Sequence, residues 1–221
     1  TQLLDQFSEK FDSNVAIKLM KKSRRWPRPE YTNRNGIVWN DEQIKKFWEG
    51  MGAMSRNRGT WMHYNIERYF NNLEVNFNST EMSMFTKFKE EQLIPISLEP
   101  FRTEWRICDP IISVGGSVDF VGILPDGTYA IIDWKRSKNM EKTSAFNNKM
   151  KPPLNHLDDT SVIRYFLQMN IYRHILQKHY NIKVSQMILA SFHPKQNNYI
   201  KLDAPFMDKE VKNIFELFEC I

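Results

Sequence analysis

The sequence predicts an α/β domain whose core runs helix, three-stranded meander, helix, strand, with a helical elaboration ahead of it. Three observations predict it. Met62, Ile66, Tyr69 and Phe70 recur at the three-and-four spacing of one helix face. Two strand-like stretches, 113–124 and 128–135, flank Pro125-Asp126-Gly127, a strong turn sequence. A second periodic run, carrying Ile163, Phe166, Leu167, Ile171, Ile175 and Leu176, leads into an apolar strand at 184–192.

In chain order, the segment from about Asn14 to Asn35 reads as an irregular basic arm broken by Pro27 and Pro29. Asn40-Asp41 then caps a helix bearing Ile44, Phe47, Trp48 and Met51, expected to end near Gly52, and Gly59-Thr60 begins the next. Residues 1–57 are therefore expected as a helical and basic elaboration, and 58–221 as the core with its C-terminal helix. A helix through Phe85, Phe88 and Leu93 precedes a strand from Phe101 to Cys108. Strict alternation there would face Arg102, Glu104 and Arg106 one way and Phe101, Thr103, Trp105 and Ile107 the other. Asp109-Pro110 stops that strand. Residues 138–159 read as a long loop able to close over a substrate, before Asp158-Asp159-Thr160-Ser161 caps the second core helix. A short strand at 199–202 and an amphipathic helix at 207–218 complete the chain.

The register of the hairpin follows from its loop. If Pro125, Asp126 and Gly127 form the turn, Leu124 faces Thr128, and counting back sets Asp119 opposite Asp133. Val121, Ile123, Ile131 and Lys135 share their face; Phe120, Leu124, Ala130, Ile132 and Trp134 take the other. Both faces are largely apolar, so these are central strands covered on both sides.

Composition bounds the function. With 41% hydrophobic and 26% charged residues, the chain is an ordinary globular protein, and no apolar run nears the roughly 18 to 20 residues that span a bilayer. A membrane span is excluded. A net charge of +5 is compatible with a polyanion. Lys22, Arg24 and Arg25 crowd Trp26, a grouping that would neutralise phosphates and stack on unpaired bases, or else form a solvated face whose Trp26 packs inward. Cys108 and Cys220 are too few for a disulfide scaffold or an all-cysteine cluster, and both are expected as plain thiols in a reducing compartment: nucleus, cytoplasm or mitochondrion, or a viral setting. Opening on Thr1 and stopping at Ile221 after an amphipathic run, the sequence is expected to be a piece of a longer polypeptide.

Two half-buried carboxylates side by side cost several kcal/mol unless a proton or cation intervenes. A divalent ion suits the Asp119–Asp133 pair, with Lys135 returning to the same face. The alternative is a structural salt bridge in which Lys135 alone satisfies Asp133.

Gly116-Ser117-Val118-Asp119 with Ile131-Ile132-Asp133-Trp134-Lys135 resembles the split signature of the PD-(D/E)XK nucleases. Gly59 to Glu67 resembles the G-x-x-x-H-x-x-x-E helix of their RecB-like branch, Gln168 to Tyr172 its Q-x-x-x-Y motif, and Glu104 sits where those proteins often carry a Glu. The resemblance implies a restriction-endonuclease-like core. It implies metal ligation by His63, Asp119, Asp133 and the Trp134 carbonyl, with one or two Mg2+ or Mn2+ ions. Lys135 would orient the attacking water and offset charge on the phosphorane. Glu67 would orient His63 or reach a second metal, and Glu104, Gln168 and Tyr172 would support the site or contact nucleic acid. Val118 replaces the Pro that names the family. The CRISPR adaptation nucleases of this branch carry a cysteine-ligated iron-sulfur cluster; two cysteines cannot build one, and none is expected.

The expected activity is hydrolysis of DNA phosphodiester bonds, as an exonuclease on single-stranded ends like the mitochondrial genome maintenance enzymes, with replication or repair proteins as partners. The rivals are a structure-specific or nicking endonuclease on DNA or RNA, and a nucleic-acid-binding module that has lost the reaction.

Overall fold

The structure is a computed structural model that describes residues 2–144 and 147–219. Cys220, expected as a plain thiol, lies outside them, as do Thr1 and Ile221; Cys108 is a free, exposed thiol. The described residues group into two compact units, one from Glu9 to Arg58 and one joining residues 2–8, which hold the short helix α1 (Gln2–Asp5), to those from Gly59 onward.

The first of these is built from α2 (Ser13–Lys21), a 3-10 turn at Pro29–Tyr31 and the opening of α3 (Asp41–Phe70). The expected irregular arm is thus partly helical: Asp12 caps α2 by accepting from the Asn14 and Val15 N–H groups. Ile17, Tyr31 and Ile44 form its core, and Tyr31 meets Trp39, Phe47 and Trp48 edge to face. Asn40 and Gln43 bond each other's backbone N–H at 2.9 Å, a reciprocal cap that starts α3.

One expectation fails here. The helix does not end near Gly52 but runs unbroken for 30 residues to Phe70. Glycine inside a helix costs about 1 kcal/mol against alanine and breaks no hydrogen bond. No proline interrupts 41–70.

The second unit is a five-stranded sheet, in the order β1 (Glu99–Asp109), β2 (Val114–Ile123), β3 (Tyr129–Lys135), β4 (Val184–Ser191), β5 (Ile200–Asp203). Neighbours are antiparallel except β3 and β4, whose parallel pairing requires the crossover through α5 (Ser161–His179). The helix, meander, helix, strand order of the sequence is the order observed. Gly127 turns the β2–β3 hairpin at φ +79°, a conformation only glycine enters without strain. Thr160 caps α5 by accepting from Ile163 N–H.

Each sheet face is covered. On one, Met62 and Ile66 of α3 and Met82, Phe85 and Phe88 of α4 (Thr80–Phe88) pack on Phe120, Ile132, Trp134, Ile188 and Phe192. On the other, α5 and α6 (Asp208–Glu219), with Leu4 and Phe7 near the N-terminus, cover Val121, Ile131 and Leu189. No helix among the described residues is long and apolar enough to cross a membrane.

Alternation along β1 differs from the strict pleat. Phe101, Trp105 and Ile107 pack on the α5 side, but Thr103 accepts from Asn71 at the end of α3, on the opposite face. Two irregularities explain it: a register shift between Pro100 and Arg102, and Glu104 at φ +44°. On β2, Val118 and Val121 both face α5 though three apart, so the alternation slips at the same level.

Candidate metal and phosphodiester site

Glu104 falls between the ladder pairs Thr103–Phe120 and Trp105–Val118, level with Asp119. The β2–β3 ladder ends at the pair Phe120–Ile132, and one step past it on each strand stand Asp119 and Asp133, in the register the turn count predicted. Three acids from three neighbouring strands therefore stand in a row. The left-handed backbone of Glu104 costs on the order of 1–3 kcal/mol, and strain of this kind concentrates at functional sites.

The row is short of counter-charge. Lys135 Nζ lies 2.5 Å from Asp133 Oδ2 and 3.9 Å from Asp119 Oδ2, with the Tyr165 ring beneath it. One amine thus spans two acids, close to Asp133 and farther from Asp119. Burial and the Asp133 charge push Asp119 up to about 7, against the pull of Lys135 and His63; Asp119 Oδ2 also accepts from Trp134 N–H at 2.8 Å. Burial disfavours the Lys135 ammonium, but the two carboxylates more than reverse this and hold it protonated.

His63, on α3, presents Nδ1 3.4 Å from Glu104 Oε1 and 3.6 Å from Asp119 Oδ2. Burial would lower its basicity; the Glu104 hydrogen bond and the Asp119 charge raise it instead. The same contact leads the causes that hold Glu104 below the usual carboxylate range, and Ser117 Oγ donates to the other Glu104 oxygen at 3.1 Å. Behind the row, Tyr172 Oη accepts from Gln168 at 2.7 Å and packs on Gly116, where an added Cβ would lie 2.4 Å from that oxygen. A cavity of about 700 Å³ opens in front, lined by Gly59, Thr60, His63, Tyr64, Glu67, Glu104, Arg106 and Ser117.

His63, Asp119, Asp133 and Lys135 thus come together. Glu67 lines the cavity but makes no bond to His63 among the described residues; Glu104 holds that imidazole in its place. Trp134 gives its N–H to Asp119 and its indole to the core beside Phe70 and Phe192. Tyr172 is buried, which suits support of the strands better than contact with a phosphate. Lys22, Arg24 and Arg25 are exposed in the other unit, whereas Trp26 is half-buried against Tyr31, the inward-packing alternative. Ser117 and Tyr165 were not singled out from sequence. Ser117 was findable, since it sits two residues from Asp119 on a strand; Tyr165 was not, because only packing brings α5 to Lys135.

The donors fit a hard divalent cation. One ligand atom each from His63, Glu104 and Asp119 lie within 4.8 Å of one another, and a cation there would offset the charge that Lys135 alone leaves unbalanced.

No protein-family model matches the chain, and no curated protein matches it. Among solved structures it is similar to a proposed exonuclease from Eubacterium rectale, at 10% identity over 98% of this chain and 67% of that one, with a TM-score of 0.40. It is also similar to a repair endonuclease from Pyrococcus abyssi, at 18% identity over 55% of this chain and 42% of that one, with a TM-score of 0.29. Likenesses this distant leave the functional reading to the site's own geometry.

Proposed function

We propose that the protein is a divalent-metal-dependent nuclease of the PD-(D/E)XK type that hydrolyses DNA phosphodiester bonds, acting as an exonuclease on single-stranded ends. The observation that carries this reading is the under-compensated row of Glu104, Asp119 and Asp133 beside a protonated Lys135 and the His63 imidazole.

His63, Glu104 and Asp119 would hold the ion, with Asp133 close by. A bound Mg2+ or Mn2+ supplies Lewis acidity, lowering the pKa of a water and offsetting charge on the phosphate. The chain's own groups do the rest. Lys135, kept protonated, is no general base at neutral pH; its role is to orient the attacking water and stabilise charge gathering on the phosphate oxygens. Attack at phosphorus with loss of the 3′ oxygen leaves 5′-phosphate and 3′-hydroxyl ends. Asp133 fixes the amine, and Glu104 fixes the imidazole.

Substrate grip has a second support. Residues 9–58 hold 12 basic against 6 acidic side chains, net +6, while the rest of the chain holds 19 against 20. Lys22, Arg24 and Arg25 are exposed there and suit a phosphate backbone. A reducing compartment and replication or repair partners belong to the same proposal.

Linear and circular single-stranded DNA, end-labelled or internally labelled, would be incubated with EDTA, Mg2+ or Mn2+. The proposal expects metal-dependent trimming of linear strands only. Cutting of circles would make the enzyme an endonuclease; no cleavage with either metal would leave a binding module.

A further inference from the structure

We infer that Arg106 anchors the phosphodiester next to the one being cut, forming a second phosphate subsite in the same cavity. This rests on the nuclease reading above.

The cavity faces a polyanion with Glu67 and Glu104, and Asp119 stands beside Glu104, so a nucleic acid strand must find positive charge beyond a single metal and one lysine. Arg106 is the one guanidinium among its lining residues. Trp105 and Ile107 turn into the α5 core, which leaves Arg106 on the opposite face, the α3 side, paired across the ladder with Ser117. It is exposed and has no ion pair among the described residues, whereas Arg136 is committed to Glu81 at 2.7 Å and Lys135 to Asp133. A guanidinium fork matches two non-bridging phosphate oxygens, a geometry an ammonium cannot reproduce.

Its placement separates it from the reacting phosphate. Arg106 lies two rungs from Glu104 and Asp119, on the order of 6.8 Å along the strand. A phosphate held there is a neighbour of one held by Lys135, reached by one step along the backbone. Tyr64, exposed on the same cavity wall with its ring under Arg68, offers a flat face for the base between them.

The test compares wild type, Arg106→Gln and Arg106→Lys on a labelled single-stranded oligonucleotide in Mn2+. Arg106→Gln is expected to raise KM about tenfold with kcat changed less than about twofold, and to flatten the dependence of log KM on log salt by about 0.7, one phosphate contact on a single strand. Arg106→Lys recovers the charge but only part of the affinity. A walk of single methylphosphonate linkages supplies the second arm. At one position beside the scissile bond wild type loses as much as the variant does, and the variant loses nothing more. An unchanged KM in Arg106→Gln, or additive losses at every position, overturns the inference while leaving the nuclease reading intact. Absence of any metal-dependent cleavage by wild type overturns both.

Discussion

Asp109 and Asp119 belong to the same sheet and are both shielded from water, yet the fold treats them in opposite ways. Asp109, at the end of β1, accepts from the Ile111 and Ile112 N–H groups and meets Lys178 and His179 at 3.2 and 2.8 Å. Burial would raise it, but the His179 contact and the other donors bring it down to about 2. Asp119 accepts one backbone N–H, shares one lysine with Asp133 and rises to about 7. Burial does not decide the charge of a carboxylate; the donors around it do. The acid supplied with donors holds structure. The acid left short of them has room for a cation's charge, at the level where the neighbouring strand's backbone is also strained.

The strongest way to break this contrast is activity. Asp119→Asn and Asp133→Asn should each cut metal-dependent cleavage by at least about a thousandfold, on the order of 4 kcal/mol, with oligonucleotide binding retained in a mobility assay. Asp109→Ala should instead lose about 3 kcal/mol of folding stability in urea and keep its activity per folded molecule, because its removal strips the acceptor from two N–H groups and from the His179 imidazole and takes one of its partners from Lys178. A native value below the ordinary carboxyl range means that the Asp109 contribution is complete above about pH 4. It is lost as pH falls towards 2, about 2 kcal/mol in all, so acid titration of wild type and Asp109→Asn should converge at the low end. Smallest is an effect of opposite sign. A native value above the ordinary range means the Asp119 charge opposes folding once ionised, so Asp119→Asn in EDTA at pH 8 should raise Tm by about 2–4 °C. Mn2+ should then raise the wild-type Tm and leave that variant unmoved.

How much of this was legible in the sequence depends on how local the signal is. The slip in alternation between Val118 and Val121 has no local signal, whereas Pro125-Asp126-Gly127 fixes a register that counts back to the level of Asp119 and Asp133. The core order was legible for the same reason, each element having its own period and stops. Gly52 misled because a stop signal and a tolerated interior glycine look alike in sequence, and with no proline nearby the helix runs on through it. Glu104 was placed on the right strand, but its part in holding His63 depends on a backbone distortion that no propensity encodes. Trp26 sits among basic residues in sequence and against Tyr31 in space, and only the second fact bears on its role.

The most direct measurement is the anomalous difference map of a crystal soaked in Mn2+. The account predicts a peak bounded by His63, Glu104 and Asp119, absent from Asp119→Asn crystals given the same soak. Density at full metal occupancy elsewhere on the protein, with nothing between those three side chains, would contradict it.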